Sequence, residues 1–463
     1  MLALPPLARL AAPLGLALAA SALAAGSAGA DGSRSGADPA DRAERLERLA
    51  AVNGLQVAEV RALLRDPTVR LTDAGRAYVV DPAAPASVAR SAPARARAVA
   101  PLTRTFRLHS YPGAKRTIFL DFDGTSVRGT AWNRHVGVRA GRHSGWDPGN
   151  NGRGFSAGEK RVVQSLWARV AEDYAPFAVD VTTEQPRGAR IHRSSKRDKV
   201  FGTRVLISES RQAHGAICRR ACGGVSFINI FDSVGKAHRR HQPAWVFPAG
   251  LRQHLKAVAE ATTHEAGHTF GLVHDGTNGL LGGTDYYQGH RSWAPIMGAA
   301  YFRPITQWSR GSYAGASARQ DDVAIIARRG APFRRDDAGG KARSAARRLP
   351  ASTAYISQRN DRDVYRLGPC SGRIVVRALG ARISPNLDIR LRLLRNGRTV
   401  EAADPPSRRK SRDRAAGLNA AIQHRAGKGT YYVEVDGVGR GGPSTTYNDY
   451  GSLGAYRLTV RGC

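Results

Sequence analysis

Methionine, cysteine and acidic side chains are all scarce in this chain. Its 463 residues include two Met, four Cys and 37 Asp or Glu, against 71 Lys or Arg. The four cysteines, Cys218, Cys222, Cys370 and Cys463, lack the two matched close pairs of a thiolate metal site. An even count suits disulfides formed in an oxidising compartment. Three connectivities are open. Position along the chain favours Cys218 with Cys222, closing a small loop, and Cys370 with Cys463, tying the last module to its own end. No apolar run beyond the N-terminal stretch approaches the length of a membrane-spanning helix, so no membrane span is expected. The shortage of acid leaves a formal net charge of +34. The basic residues, mostly Arg, are strung along the chain in RSSKRDK, RRDD and SRRKSRDR without interleaved aromatics. Specific nucleic-acid binding is therefore not expected, although so basic a surface could attach to an anionic extracellular polymer.

What is present divides the chain into regions. Arg9 precedes the apolar run LAAPLGLALAASALA, which gives way to small residues. Residues 1–30 read as a secretory signal peptide cut between Ala24 and Ala30, and the mature protein is expected to be secreted and extracellular. Residues 31–105 read as a propeptide and linker: two short helices split at Asn53-Gly54, a hairpin turning at Asp73-Ala74-Gly75, then an Ala/Arg/Pro stretch. Residues 106–330 interleave the strands KRTIFLDFDG, FAVDVTTEQ, RVLISES, GGVSFINIFD and PAWVFP with two helices. One helix opens with the capping box of Ser156 and Glu159; the other runs through GLRQHLKAVAEATTHEAGHTFGL. That order predicts an α/β domain. A polar, basic linker over 331–352 leads to residues 353–463, whose short alternating runs predict an all-β sandwich.

Chemistry concentrates in HEAGHTFGLVHD, which starts at His264. On a helix, His264 and His268 project from one face and can bind the same ion. Gly271 can take the left-handed conformation that ends the helix and turns the chain, so that His274 supplies a third nitrogen. Three protein ligands leave one tetrahedral position to water, the arrangement of a catalytic Zn2+ site. Glu265, beside the first ligand, is placed to act as general base on that water. Three His, one Glu and one Gly at fixed offsets arise by chance on the order of once per ten million start positions. A third ligand of the other kind, a Glu some way downstream, is not available, because no Glu lies between Glu265 and Glu401.

HEAGHTFGLVHD followed by APIM resembles the metzincin clan of zinc metallopeptidases, and Asp275 directly after the third His is similar to the reprolysin (adamalysin-like) branch. VAEDYAPFAVDVTTEQP, GGVSFINIFD and QWSRGSYAGASARQDDVAII resemble segments of bacterial secreted enzymes of that kind, and the resemblance spans about Arg107 to Arg329. It implies an endopeptidase acting on proteins or peptides, with a twisted sheet whose edge strand binds extended substrate by β-augmentation; GGVSFINIFD is the candidate edge. It also implies that Met297, flanked by Pro295 and Gly298, forms a tight turn beneath the histidines, and that Asp275 orients the site by hydrogen bonding. NLDIRLRLL, TYYVEVDGV and DYGSLGAYRLTV resemble the pre-peptidase C-terminal domain of secreted bacterial proteases. Two features depart from the pattern. Ala299 stands where some metzincins carry a Tyr, leaving Tyr301 as the nearest, and no Cys in residues 31–105 could provide cysteine-based latency.

Two rival readings come from different classes. IFLDFDGTS mimics a phosphatase in which Asp121 attacks phosphate and Asp123 acts as acid and base, with Asp321 and Asp322 as a Mg2+ pair; no cap region accompanies it. A non-catalytic binding or adhesion protein on a peptidase fold would be expected to lose Glu265, which is present. Asp- and Asn-rich turns leave Ca2+ open as a further cation, with no loop of recognisable ligand spacing.

Overall fold

The computed structural model describes residues 39–88, 96–149, 152, 154–279, 283–345, 349–442 and 446–463. The expected signal peptide lies outside these residues, as does the middle of the Ala/Arg/Pro stretch. Two helices, α1 (Pro39–Asn53) and α2 (Val57–Leu63), are divided at Gly54, whose φ is +62°. The hairpin that follows pairs β1 (Val69–Leu71) with β2 (Ala77–Pro82). Next come β3 (Arg116–Asp121), α3 (Ala157–Asp173), β4 (Val179–Thr182), β5 (Phe201–Ile207), β6 (Cys222–Phe227), β7 (Ala244–Val246), α4 (Leu255–Thr269) and α5 (Asp322–Arg328). Ser156 and Glu159 do form the capping box at the start of α3. The helix expected from Gly250 begins only at Leu255. Arg252 and Gln253 both take positive φ, 57° and 53°, which a right-handed helix cannot include, and the His254 ring caps the first turn.

The strands form one seven-stranded sheet in the order β1-β2-β6-β7-β5-β3-β4. β7, β5, β3 and β4 are parallel, and β6 runs antiparallel beside β7. Successive residues face opposite sides, so Val205 and Ile207 of β5 pack with Val163, Leu166 and Val170 of α3 in one cluster. Leu206 between them joins Phe227, Trp245 and Trp132 in the other. Both faces of a mostly parallel sheet are thus covered, as its backbone connections require. Each fully buried aliphatic or aromatic side chain in these clusters contributes roughly 1.5–3 kcal/mol. The hairpin from residues expected as propeptide extends the sheet, because β2 pairs antiparallel with β6.

The C-terminal residues form a β-rich, sandwich-like module. Its strands are β8 (Ala354–Ile356), β9 (Arg362–Gly380), β10 (Ile389–Arg395), β11 (Arg398–Ala403), β12 (Ala420–Gly437) and β13 (Gly454–Arg461). They make one antiparallel sheet in the order β8-β13-β9-β12-β10-β11, and register shifts near Gly368 and Gly372 interrupt the long strand β9. Ile389, Leu391 and Leu393 alternate into its core against Val433 and Val435. Cys370 is bonded to Cys463, across 93 residues, and Cys218 to Cys222.

The module is hydrogen-bonded to the end of α3. Asn386 Nδ2 donates to Asp173 Oδ1 at 2.8 Å, and the Ala455 amide donates to Glu172 Oε1 at 3.3 Å. Residues expected as a polar linker take part in this packing, since the buried Arg334 guanidinium lies 3.9 and 4.0 Å from the ring centres of Tyr111 and Tyr355. Residues Arg45–Cys463 accordingly form one compact unit. No helix among the described residues is long and apolar enough to cross a membrane.

Candidate metal centre

α4 carries the first two histidines. Ala257, Ala259, Ala261 and Ala266 keep it slim, and it is buried nearly all round. His264 and His268 sit one turn apart with ring centres 4.7 Å apart. The chain leaves the helix through Gly271, whose φ of +98° places it in the region glycine tolerates best. His274 then returns to stand 5.2 Å from His264 and 4.9 Å from His268, ring centre to ring centre. Met297 is fully buried beneath the helix. A Cβ on Gly267 would stand 2.8 Å from its sulfur, so the glycine is what lets the methionine approach between the two histidine turns.

Each imidazole is oriented through Nδ1. His264 bonds the Ile296 carbonyl at 2.9 Å, His268 the Leu272 carbonyl at 2.7 Å, and His274 the Asp66 carboxylate at 2.5 Å. That leaves the three Nε2 atoms aimed at a common point, as histidines orient when their far nitrogen binds metal. The point is occupied by a side chain no sequence argument named. The Asp81 carboxylate lies 3.1 Å from His264 Nε2, 3.8 Å from His268 Nε2 and 3.1 Å from His274 Nε2. All four donor atoms fall within 4.8 Å of one another. His264 Nε2 and His268 Nε2 are buried without a conventional hydrogen-bond partner among the described residues. Buried nitrogens left unpaired are costly, and a divalent cation would satisfy them; a set of imidazoles and one carboxylate suits zinc.

The charges are strongly coupled. Burial would raise the Asp81 carboxyl, but His264 and His274 hold it well below the usual carboxylate range. Burial would lower His274, yet Asp81 and Asp66 raise it to about 9. His268 is pushed down to about 4, mainly by burial. Glu265 is pushed well above its ordinary value, by burial and then by the negative charge of Asp81. Among the described residues both of its carboxylate oxygens are buried without a conventional partner, and the side chain lies against β6, where a Cβ on Gly224 would stand 2.0 Å from Oε1. Glycine at position 224 is what gives the Glu265 carboxylate its place.

The other residues singled out by sequence sit nearby in different roles. Asp275 is buried and accepts a hydrogen bond from the Tyr313 hydroxyl at 3.3 Å; its amide donates to the Met297 carbonyl at 2.8 Å. Its carbonyl accepts from the Tyr287 amide at 2.9 Å, so its described hydrogen bonds run to the Met297 turn, Tyr313 and Tyr287, and none reaches a histidine. Tyr301 packs against the core with its hydroxyl raised by burial and by the charges of Asp81 and Glu265. Tyr286 is closer to the centre, donating to Asp81 Oδ1 at 2.8 Å with its ring 4.2 Å from His274. Asp121 is elsewhere, paired with Arg204 and accepting from the Gly124 amide at 3.0 Å in its own turn. Asp321 and Asp322 begin α5 and bond Ala324, Tyr450 and Ser309.

Asp66, Asp81 and Tyr286 are the residues sequence reasoning missed. A signal for Asp81 was there: in AYVVDP it follows Ala77 and Val79 on the inward side of a period-two strand, where an acid needs a partner. Tyr286, in an irregular loop, had none.

No protein-family model matches the chain, and no curated protein matches it. Among solved structures it is similar to the pre-peptidase C-terminal domain of a collagenase from Bacillus anthracis, at 17% identity over 26% of this chain and 95% of that one, with a TM-score of 0.17.

Proposed function

We propose that this chain is a secreted zinc-dependent endopeptidase. The observation that carries the reading is the convergence of three Nε2 atoms beside a buried, unpaired Glu265. His264, His268 and His274 would hold the ion. When bound, it supplies Lewis acidity that lowers the pKa of a water and polarises the scissile carbonyl. Glu265 takes the proton of the attacking water and passes it to the leaving amine. β6, expected as the edge, is covered by β2 in the full-length chain, and would offer its backbone groups to an extended peptide once β1 and β2 are removed. Met297 packs against Gly267 between the two helical histidines in sequence, and Asp275 fastens the chain after His274 to the Met297 turn.

Zinc content tests the reading. The purified chain should retain about one zinc per molecule, and His268→Ala should lose it while remaining folded by circular dichroism. Equal zinc in both proteins would refute the assignment.

A further inference from the structure

We infer that Asp81 is a fourth ligand to the metal and that strand β2 fills the substrate edge, so that the full-length chain carries its own inhibitor. The inference rests on the peptidase reading above, and it names the group that closes the site.

The first argument is position. The Asp81 carboxylate stands at the focus of the three Nε2 atoms, within 3.1 to 3.8 Å of each. A zinc held by three histidines is open to water; one held by three histidines and a carboxylate is closed, in the manner of structural sites. Tyr286 donates to the same carboxylate and holds its orientation.

The second argument is the ladder. Tyr78, Val79, Val80 and Asp81 pair antiparallel with Phe227, Ser226, Val225 and Gly224. Without β1 and β2, β6 would be the edge of the sheet, with a row of backbone donors and acceptors available to an incoming strand. β2 uses that row. Because Asp81 lies opposite Gly224, and Glu265 packs against Gly224, the strand brings its carboxylate to the point where a scissile bond would meet the general base.

The third argument is how firmly the segment is held. Asp66 accepts from the Thr68 amide at 2.8 Å and binds His274 at 2.5 Å. Buried Arg76 donates to the carbonyls of Val52, Ile228 and Asn229, tying α1 and the hairpin to the chain that leaves β6. Asn229 Nδ2 in turn donates to the carbonyls of Asn53 and Gly54, each at 2.9 Å. Leu49, Leu55, Val60, Leu63 and Val79 close an apolar cluster over Ile228. Separating a segment fixed by so many buried polar contacts requires cutting the chain, so the activating event is proteolysis on the C-terminal side of Pro82.

The test uses the full-length chain loaded with Co2+ in place of zinc. Wild type, Asp81→Ala and the near-isosteric Asp81→Asn are compared by visible absorption and by the rate of metal loss to a chelator, with circular dichroism reporting the fold. Both variants should shift the Co2+ d–d bands and lose metal about 10-fold faster or more, while casein hydrolysis stays absent in all three uncut chains because β2 still fills the edge. Unchanged bands and unchanged metal loss in folded Asp81→Asn would overturn the assignment of Asp81 and leave the peptidase reading standing. Failure of the peptidase reading looks different: wild type would take up no Co2+, or His268→Ala would take up as much.

Discussion

Asp81 lies directly opposite Gly224 across the β2–β6 ladder, and the missing side chain at Gly224 makes room for Glu265. The carboxyl groups of Asp81 and Glu265 thus meet over one glycine. The chemistry of the centre depends on that close approach as much as on the histidines, and several expectations follow from it.

In the mature protein, Gly224→Ala should sharply reduce hydrolysis without unfolding the chain. The added Cβ would stand 2.0 Å from Glu265 Oε1, so the carboxylate must swing away. Steady-state kinetics should show kcat falling about 100-fold or more, in the range of a lost general base, with zinc content unchanged.

Gly267→Ala should cost stability. Its Cβ would come within 2.8 Å of the Met297 sulfur in a fully buried contact. Overpacking of this kind costs typically 1–3 kcal/mol, measurable as a lower urea midpoint. The methionine side chain is flexible, so Gly267→Val should be worse than Gly267→Ala.

Replacing Cys370 and Cys463 together by Ser should destabilise the chain by about 4–5 kcal/mol, as closure of a loop of this length implies. The two residues are separated by 93 positions and fasten the middle of β9 to the C-terminus. Chemical denaturation of the double variant beside the oxidised wild type measures the difference.

Asp388 should make stability fall with rising pH. Burial pushes its carboxyl up to about 7, against a hydrogen bond from Tyr447 that lowers it. A carboxyl whose folded pKa is raised binds more protons folded than unfolded, so its stabilising share is complete below the unfolded value, near 4, and is lost as pH climbs to about 7. Asp388→Asn should flatten the stability profile between pH 4 and 7, by up to about 4 kcal/mol across that window.

Much of the architecture was legible in the chain. The capping box at Ser156 and Glu159 marked where α3 begins, and Asn53-Gly54 marked the break between α1 and α2, because those residues act through local backbone chemistry. The alternation of Ile389, Leu391 and Leu393 announced a half-buried strand for the same reason. The start of α4 was not legible, since the positive φ of Arg252 and Gln253 comes from tertiary packing and neither residue favours it intrinsically. The centre shows the same divide. His264, Glu265, His268 and His274 declare themselves by spacing along one helix and its turn, whereas Asp66, Asp81 and Tyr286 reach it across 208, 193 and 205 positions of sequence from their partners His274, His274 and Asp81. Contacts at that range leave no spacing to read: the period-two strand marks Asp81 as inward-facing but not what it meets. The Arg334 clamp was hidden similarly: in APFRRDD it reads as one more solvated charge, and only the fold sets Tyr111 and Tyr355 on either side of it.

The most direct measurement of the central claim is casein hydrolysis by the mature protein beside Glu265→Ala, each before and after chelation and zinc restoration. Activity that vanishes on chelation, returns with zinc, and is lost about 100-fold or more in zinc-loaded Glu265→Ala is the predicted result. A folded, zinc-loaded mature protein without activity, or full activity in Glu265→Ala, would contradict it.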